Sequence, residues 1–358
     1  MKDVLPRIKG IIPLSALALL CACEKAPPPD PVCRYEEAPR TAGIKPGQGA
    51  IQILAPVEQY IYVFDDKGKQ LASERTNRVL SVQAGTYQVR ANNSSHTVYV
   101  KSKTLSKCEA GALLATGATE QYFYVFDSSG AQLASERLGK AVALFPGKYE
   151  ARLNNSRAAV EINSGTPTEI KSGTLSVPAK TDEYYYVFDP GGSQLSSAKL
   201  STPLSLFAGA WTLKINNSQA RVETTAGAVT EFKPGALLVK GATDEYYYVF
   251  DGAGNQLASA KLRQALSFAE GSYTLKLNNA PVSIKVEAGG TTEYTAGSVT
   301  VRGAGDDYYH VLDPLGNQLA STRVGRSLSL PAGKYQVKRG QDTRHVDVAE
   351  GKDAVLAW

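Results

Sequence analysis

Glu183-Tyr184-Tyr185-Tyr186-Val187-Phe188-Asp189 decides the fold, because close copies of it occur five times. Tyr62-Val63-Phe64-Asp65, Tyr124-Val125-Phe126-Asp127, Tyr248-Val249-Phe250-Asp251 and His310-Val311-Leu312-Asp313 repeat its second half. The aspartates fall at 65, 127, 189, 251 and 313, a period of 62 residues without slippage. Self-similarity at a fixed period marks a repeat array, and the unit has to be read before any motif.

Working outward from that stretch, Gly49, Gly111, Gly173, Gly235 and Gly297 each open a short strand of alternating apolar residues, as in Gly235-Ala236-Leu237-Leu238-Val239. Blocks of 62 residues counted from Gly49 then run to Trp358: 49–110, 111–172, 173–234, 235–296 and 297–358. Within a block, the Tyr-rich strand runs into Asp-x-x-Gly, where Asp caps backbone N–H groups and Gly takes positive φ in a bulged type I turn. A lone carboxylate here is weak grounds for a calcium site. A returning strand follows (Gln256–Leu262), then a strand carrying Leu266 and Phe268, then the alternating Tyr273-Thr274-Leu275-Lys276-Leu277. The pairs Asn92-Asn93, Asn154-Asn155, Asn216-Asn217 and Asn278-Asn279 read as hairpin turns, since asparagine tolerates left-handed geometry. Ile284 and Val286 mark a sixth strand and Thr292-Glu293-Tyr294 a seventh. Seven short strands with no helical periodicity predict a small antiparallel β-sandwich per block. A five-bladed propeller is the rival, although a blade has four strands and about 40–50 residues.

Bulk composition fits an array of small β domains: 358 residues, 32 glycines and 19 tyrosines against 9 phenylalanines. A net charge of +5 does not suggest a nucleic-acid binder. His96, His310 and His345 occupy no common position of the unit, and neither metal-ligand spacing nor a catalytic triad is visible. The expectation is therefore a protein that is not an enzyme and takes no cofactor or metal.

At the N-terminus, Lys2, Arg7 and Lys9 precede an apolar run from Ile11 to Ala22, too short to span a membrane as a helix. Leu20-Cys21-Ala22-Cys23 resembles the lipobox of bacterial lipoproteins. The resemblance implies a signal peptide over 1–22, lipid on Cys23, and anchoring at the outer membrane, facing either the periplasm or the exterior. Residues 23–48, with Pro27-Pro28-Pro29 and Pro31, read as an extended spacer without packed structure. With Cys21 removed and Cys23 lipidated, Cys33 and Cys108 remain, and in an oxidising compartment they are expected to pair.

The Ala-Gly-x-Tyr hairpin and the closing Gly-x-x-Thr element resemble PEGA-like and carboxypeptidase-regulatory-like (transthyretin-like) repeats of bacterial envelope proteins. That likeness implies a sandwich array used as a stalk or protein-interaction scaffold. Strands rise ~3.3 Å per residue, so five units in line would reach on the order of 120 Å. The Tyr-rich strand is apolar on both sides, with Tyr184, Tyr186 and Phe188 on one and Tyr185 and Val187 on the other. A sandwich strand buries only one face, so one row is surplus. The row of Phe123, Tyr185, Tyr247 and Tyr309 is the candidate for contact with another protein or with peptidoglycan or surface polysaccharide, the alternative being core and inter-unit packing.

Overall fold

The third unit shows how the pattern resolves. In the computed structural model, which describes residues 30–38 and 43–358, its strands are Gly173–Ser176, Tyr184–Phe188, Gln194–Lys199, Leu204–Leu206, Gly209–Ile215, Ser218–Thr224 and Val229–Glu231. The first, fourth and seventh form one sheet with the first in the middle; the others form a second sheet in the order third-second-fifth-sixth. The same pair of sheets recurs in all five units, and no sheet mixes strands from two units. This is a tandem array of β-sandwiches. A propeller would need one sheet per block, and each block has two facing sheets, so that alternative falls.

One pairing departs from an all-antiparallel unit. The first and seventh strands run parallel, with Thr174 opposite Val229 and Leu175 opposite Thr230. The consequence is directional: the chain leaves a unit at the end opposite to its entry, and only a residue or a few separate the seventh strand from the next unit's first. Lys171 ends one strand and Gly173 starts the next.

The opening glycines permit a close approach. A Cβ on Gly111 would lie 2.2 Å from the Asn163 carbonyl oxygen, and one on Gly235 would lie 2.2 Å from that of Glu287. The Asp-x-x-Gly turns form as the sequence indicates. Asp189 Oδ1 accepts the Ser193 N–H at 2.8 Å, Gly192 has φ +83°, and the register slips between Val187 and Phe188. Asn216 and Asn217 take φ of +47° and +60° between the fifth and sixth strands. After Gly147, Gly271 and Gly333, a Tyr hydroxyl ties back to the carbonyl four residues earlier, as in Tyr273 to Ala269 at 2.6 Å. In the third unit Trp211 stands there and donates instead to Thr224 Oγ1 at 2.8 Å.

The expected spacer is partly structured. Cys33–Glu37 forms a strand antiparallel to Thr104–Glu109, adding a fourth strand to the small sheet of the first unit, and the first strand of that unit begins at Gln48. Cys33 and Cys108 face each other in this register and are joined as a disulfide. The signal peptide over 1–22 and Cys23 lie outside the described residues.

Candidate functional site

Strand Tyr184–Phe188 sits in the middle of the larger sheet, one face towards the core and one outward. Its alternation was visible in the sequence, but the row proposed for contact is the one that turns inward. Tyr185, Tyr247 and Tyr309 are fully buried, as is Phe123. The Tyr185 hydroxyl donates to the Thr202 carbonyl at 2.8 Å, and Tyr247 and Tyr309 donate likewise to Gln264 and Arg326 at 2.9 and 2.7 Å. Burial holds all three phenols far above the ordinary tyrosine range. These four residues are core, and none presents a ring to a partner.

The exposed row is the other one: Tyr184 at 48 % and Tyr186 at 39 %, with Tyr60, Tyr62, Tyr122, Tyr124, Tyr246, Tyr248 and Tyr308 alike. Each first Tyr of the row has a cation from the third strand near its ring. Arg75 lies 5.3 Å from the Tyr60 centroid, Arg137 5.4 Å from Tyr122, and Lys199 6.0 Å from Tyr184. Further along, a cation from the fifth strand covers each Phe: Arg90 on Phe64, Arg152 on Phe126, Lys214 on Phe188 and Lys276 on Phe250, at 3.9–4.4 Å. Cross-strand register explains this, since Tyr186 opposes Lys214 and the basic side chain leans over the neighbouring ring.

Beside this face lies the junction. Asn216 donates from Nδ2 to a Glu183 oxygen of its own unit and to the Ser267 carbonyl of the next, at 3.0 Å in the latter case. The other Glu183 oxygen accepts the Ser267 N–H at 2.7 Å. Asn217 reaches the Leu257 carbonyl at 2.9 Å, and Thr181 and Ser267 share a hydroxyl contact at 2.6 Å. The arrangement repeats with Gln59, Asn92 and Ala143, with Gln121, Asn154 and Ser205, and with Glu245, Asn278 and Ser329. Ser94, Ser156 and Ser218 add a bond from the next unit's Phe145, Phe207 and Ala269 N–H. At the fourth junction Ala280 stands for the serine and Pro331, which has no N–H, for the donor. Acceptor and donor vanish together, so neither is left unsatisfied. Phe145 and Phe207 also insert into the cores of the preceding units.

The fifth unit breaks the pattern at this same place. Asp307 occupies the Glu245 position, Arg339 replaces Leu277 and Gly340 replaces Asn278. Arg339 binds Asp307 with two hydrogen bonds of 2.9 Å and holds its carboxyl below the usual range. The acid that would reach a following unit is therefore engaged within its own.

A groove of about 570 Å³ runs from Tyr184, Tyr186 and Lys214 over Asn216 and Asn217 to Leu257 and Ser259 of the next unit. Smaller ones, of about 390 and 430 Å³, lie on the same face of the first and second units. The fold also gathers Asp30, Cys33 and His96, which sequence spacing did not show. Cys33 Sγ is committed to Cys108, leaving a His96–Asp30 pair at 2.8 Å.

No family model matches the chain, and no curated protein matches it. Among solved structures it is similar to the Bacillus anthracis TIE protein, at 10% identity over 91% of this chain and 67% of that one, with a TM-score of 0.17. It is also similar to the major pilin subunit BcpA of Bacillus cereus (10%, covering 88% and 99%, TM-score 0.15). For the pilus adhesin SpaC of Lactobacillus rhamnosus GG the values are 12%, 87% and 43%, with a TM-score of 0.18. Likenesses of this size do not bear on role; the β-sandwich array rests on the strand pairing above.

Proposed function

We propose that this chain is a non-catalytic repeat protein of the bacterial envelope, anchored by lipid on Cys23 and acting as a stalk or interaction scaffold. The observation that carries the reading is the junction. The same side-chain clasp recurs four times, and short connections leave each unit little freedom to swing about its neighbour. A spacer needs exactly such serial restraint, whereas a catalytic centre needs converging groups, and the repeated positions bring together turn, core and clasp residues. The lipobox-like Leu20–Cys23 stretch supports the anchor, and the PEGA-like and transthyretin-like spacing supports the envelope setting. Labelled palmitate supplied to cells should enter the wild-type chain, which should fractionate with membranes. Cys23→Ser should abolish both. A wild-type chain that stays unlabelled and soluble would remove the anchor and with it the stalk role.

A further inference from the structure

The junction grooves lie on the outward face of the larger sheet, next to rings that stay exposed among the described residues and the cations beside them. We infer that this face is a multivalent track for a linear anionic polysaccharide, its sugar rings stacked on the Tyr pairs and its carboxylates met by the flanking lysines. The inference stands apart from the stalk reading and would hold for an array without a lipid anchor.

Three observations select this ligand. First, Tyr184 and Tyr186, like Tyr246 and Tyr248, expose flat amphipathic rings in pairs, a surface suited to the apolar faces of sugars. Second, Lys214, Lys261 and Lys276 have no carboxylate partner among the described residues, only the rings of Phe188, Tyr246 and Phe250. A ligand carboxylate would find charge-assisted hydrogen bonds there without displacing an internal acid. Third, the groove bridges two units and is floored by Asn216 and Asn217, so a polymer passing from one unit to the next meets polar side chains across the junction.

The competing occupants fit less well. A protein partner would favour a centre depleted of charge, and here the cations stand beside the central rings. Single-stranded nucleic acid also stacks on aromatic rings, but it needs a continuous basic groove. Here the cations without a carboxylate partner stand singly beside the rings rather than in a continuous run, and the rim acids are paired within the unit, Asp182 to Lys199 at 3.2 Å and Asp244 to Arg263 at 2.6 Å.

The test is retention of the full chain by immobilised alginate, a linear polyuronate, at low and high salt, beside dextran and polyadenylate. The expected result is retention by alginate that falls with salt, together with weak retention by dextran and polyadenylate. Long alginate should bind at least about tenfold more tightly than fragments too short to span two units. Lys214→Gln with Lys276→Gln, and separately Tyr184→Ala with Tyr246→Ala, should each weaken binding about tenfold while circular dichroism stays unchanged. Absence of alginate binding overturns the inference, and equal retention by dextran overturns its anionic part. Tighter binding of polyadenylate assigns the face to nucleic acid, and an effect of the lysine pair without one of the tyrosine pair reduces it to simple ion exchange.

Discussion

Gly111 shows what a single residue could and could not announce. Its place at the head of a strand was legible from the 62-residue spacing. Its reason was not, because the atom that forbids a side chain, the Asn163 carbonyl oxygen, lies 52 positions later in the chain. Gly111→Ala should therefore cost about 1–3 kcal/mol by forcing the strand off its neighbour, read as a lower midpoint in urea unfolding; an unchanged midpoint would mean that the approach is loose. Tyr185 gives the converse lesson. Alternation put it opposite Tyr184, but a strand apolar on both faces carries no signal for which face turns inward, and the structure buries the face proposed for contact. The buried hydroxyls have a measurable consequence. Tyr149 and Tyr335 are pushed up to about 12 by burial. A phenol held above its unfolded value of about 10 is bound more tightly as the neutral form in the fold, so its contribution is complete below about pH 10. It is lost as pH rises from there towards 12. Melting temperatures should stay level up to about pH 10 and fall beyond it, with Tyr149→Phe and Tyr335→Phe blunting the fall; a decline beginning near neutrality would contradict the assignment.

Between elements, the Asn pairs were read correctly as hairpin turns, yet their second task was hidden. Nothing in Asn216-Asn217 says which atoms of the next unit stand opposite, and only the parallel first and seventh strands fix that placement. The conversion of Gln59 and Gln121 to Glu183, Glu245 and finally Asp307 was a trace of the clasp in the sequence, as was the joint change to Ala280 and Pro331. Cys33–Glu37 escaped notice as a strand because neighbouring prolines mark an extended spacer; its partner lies about 70 residues away. Asn216→Ala removes both bonds of one donor and leaves the Ser267 carbonyl and a Glu183 oxygen short of a partner. It should weaken the third junction by about 1–3 kcal/mol. Amide exchange of Ser267 should accelerate while exchange within the Gly209–Ile215 strand is unaffected. Uniform acceleration through both units would instead mean that the turn, rather than the clasp, had failed.

For the molecule as a whole, the chain's exit at the far end of each unit and the repeated clasp give an open series. Among the described residues every side-chain hydrogen bond between units joins neighbours. In the fifth unit the Arg339–Asp307 pair stands where the other units carry the clasp residues. Each ~25 Å unit adds length, and the junctions determine whether that length is kept. Small-angle X-ray scattering of the full chain is the direct test. A single maximum dimension on the order of 120 Å, shortened and broadened when Asn92, Asn154, Asn216 and Asn278 are all changed to Ala, is the predicted result. A compact particle, or an equally flexible one before and after those substitutions, would contradict a clasped, extended array.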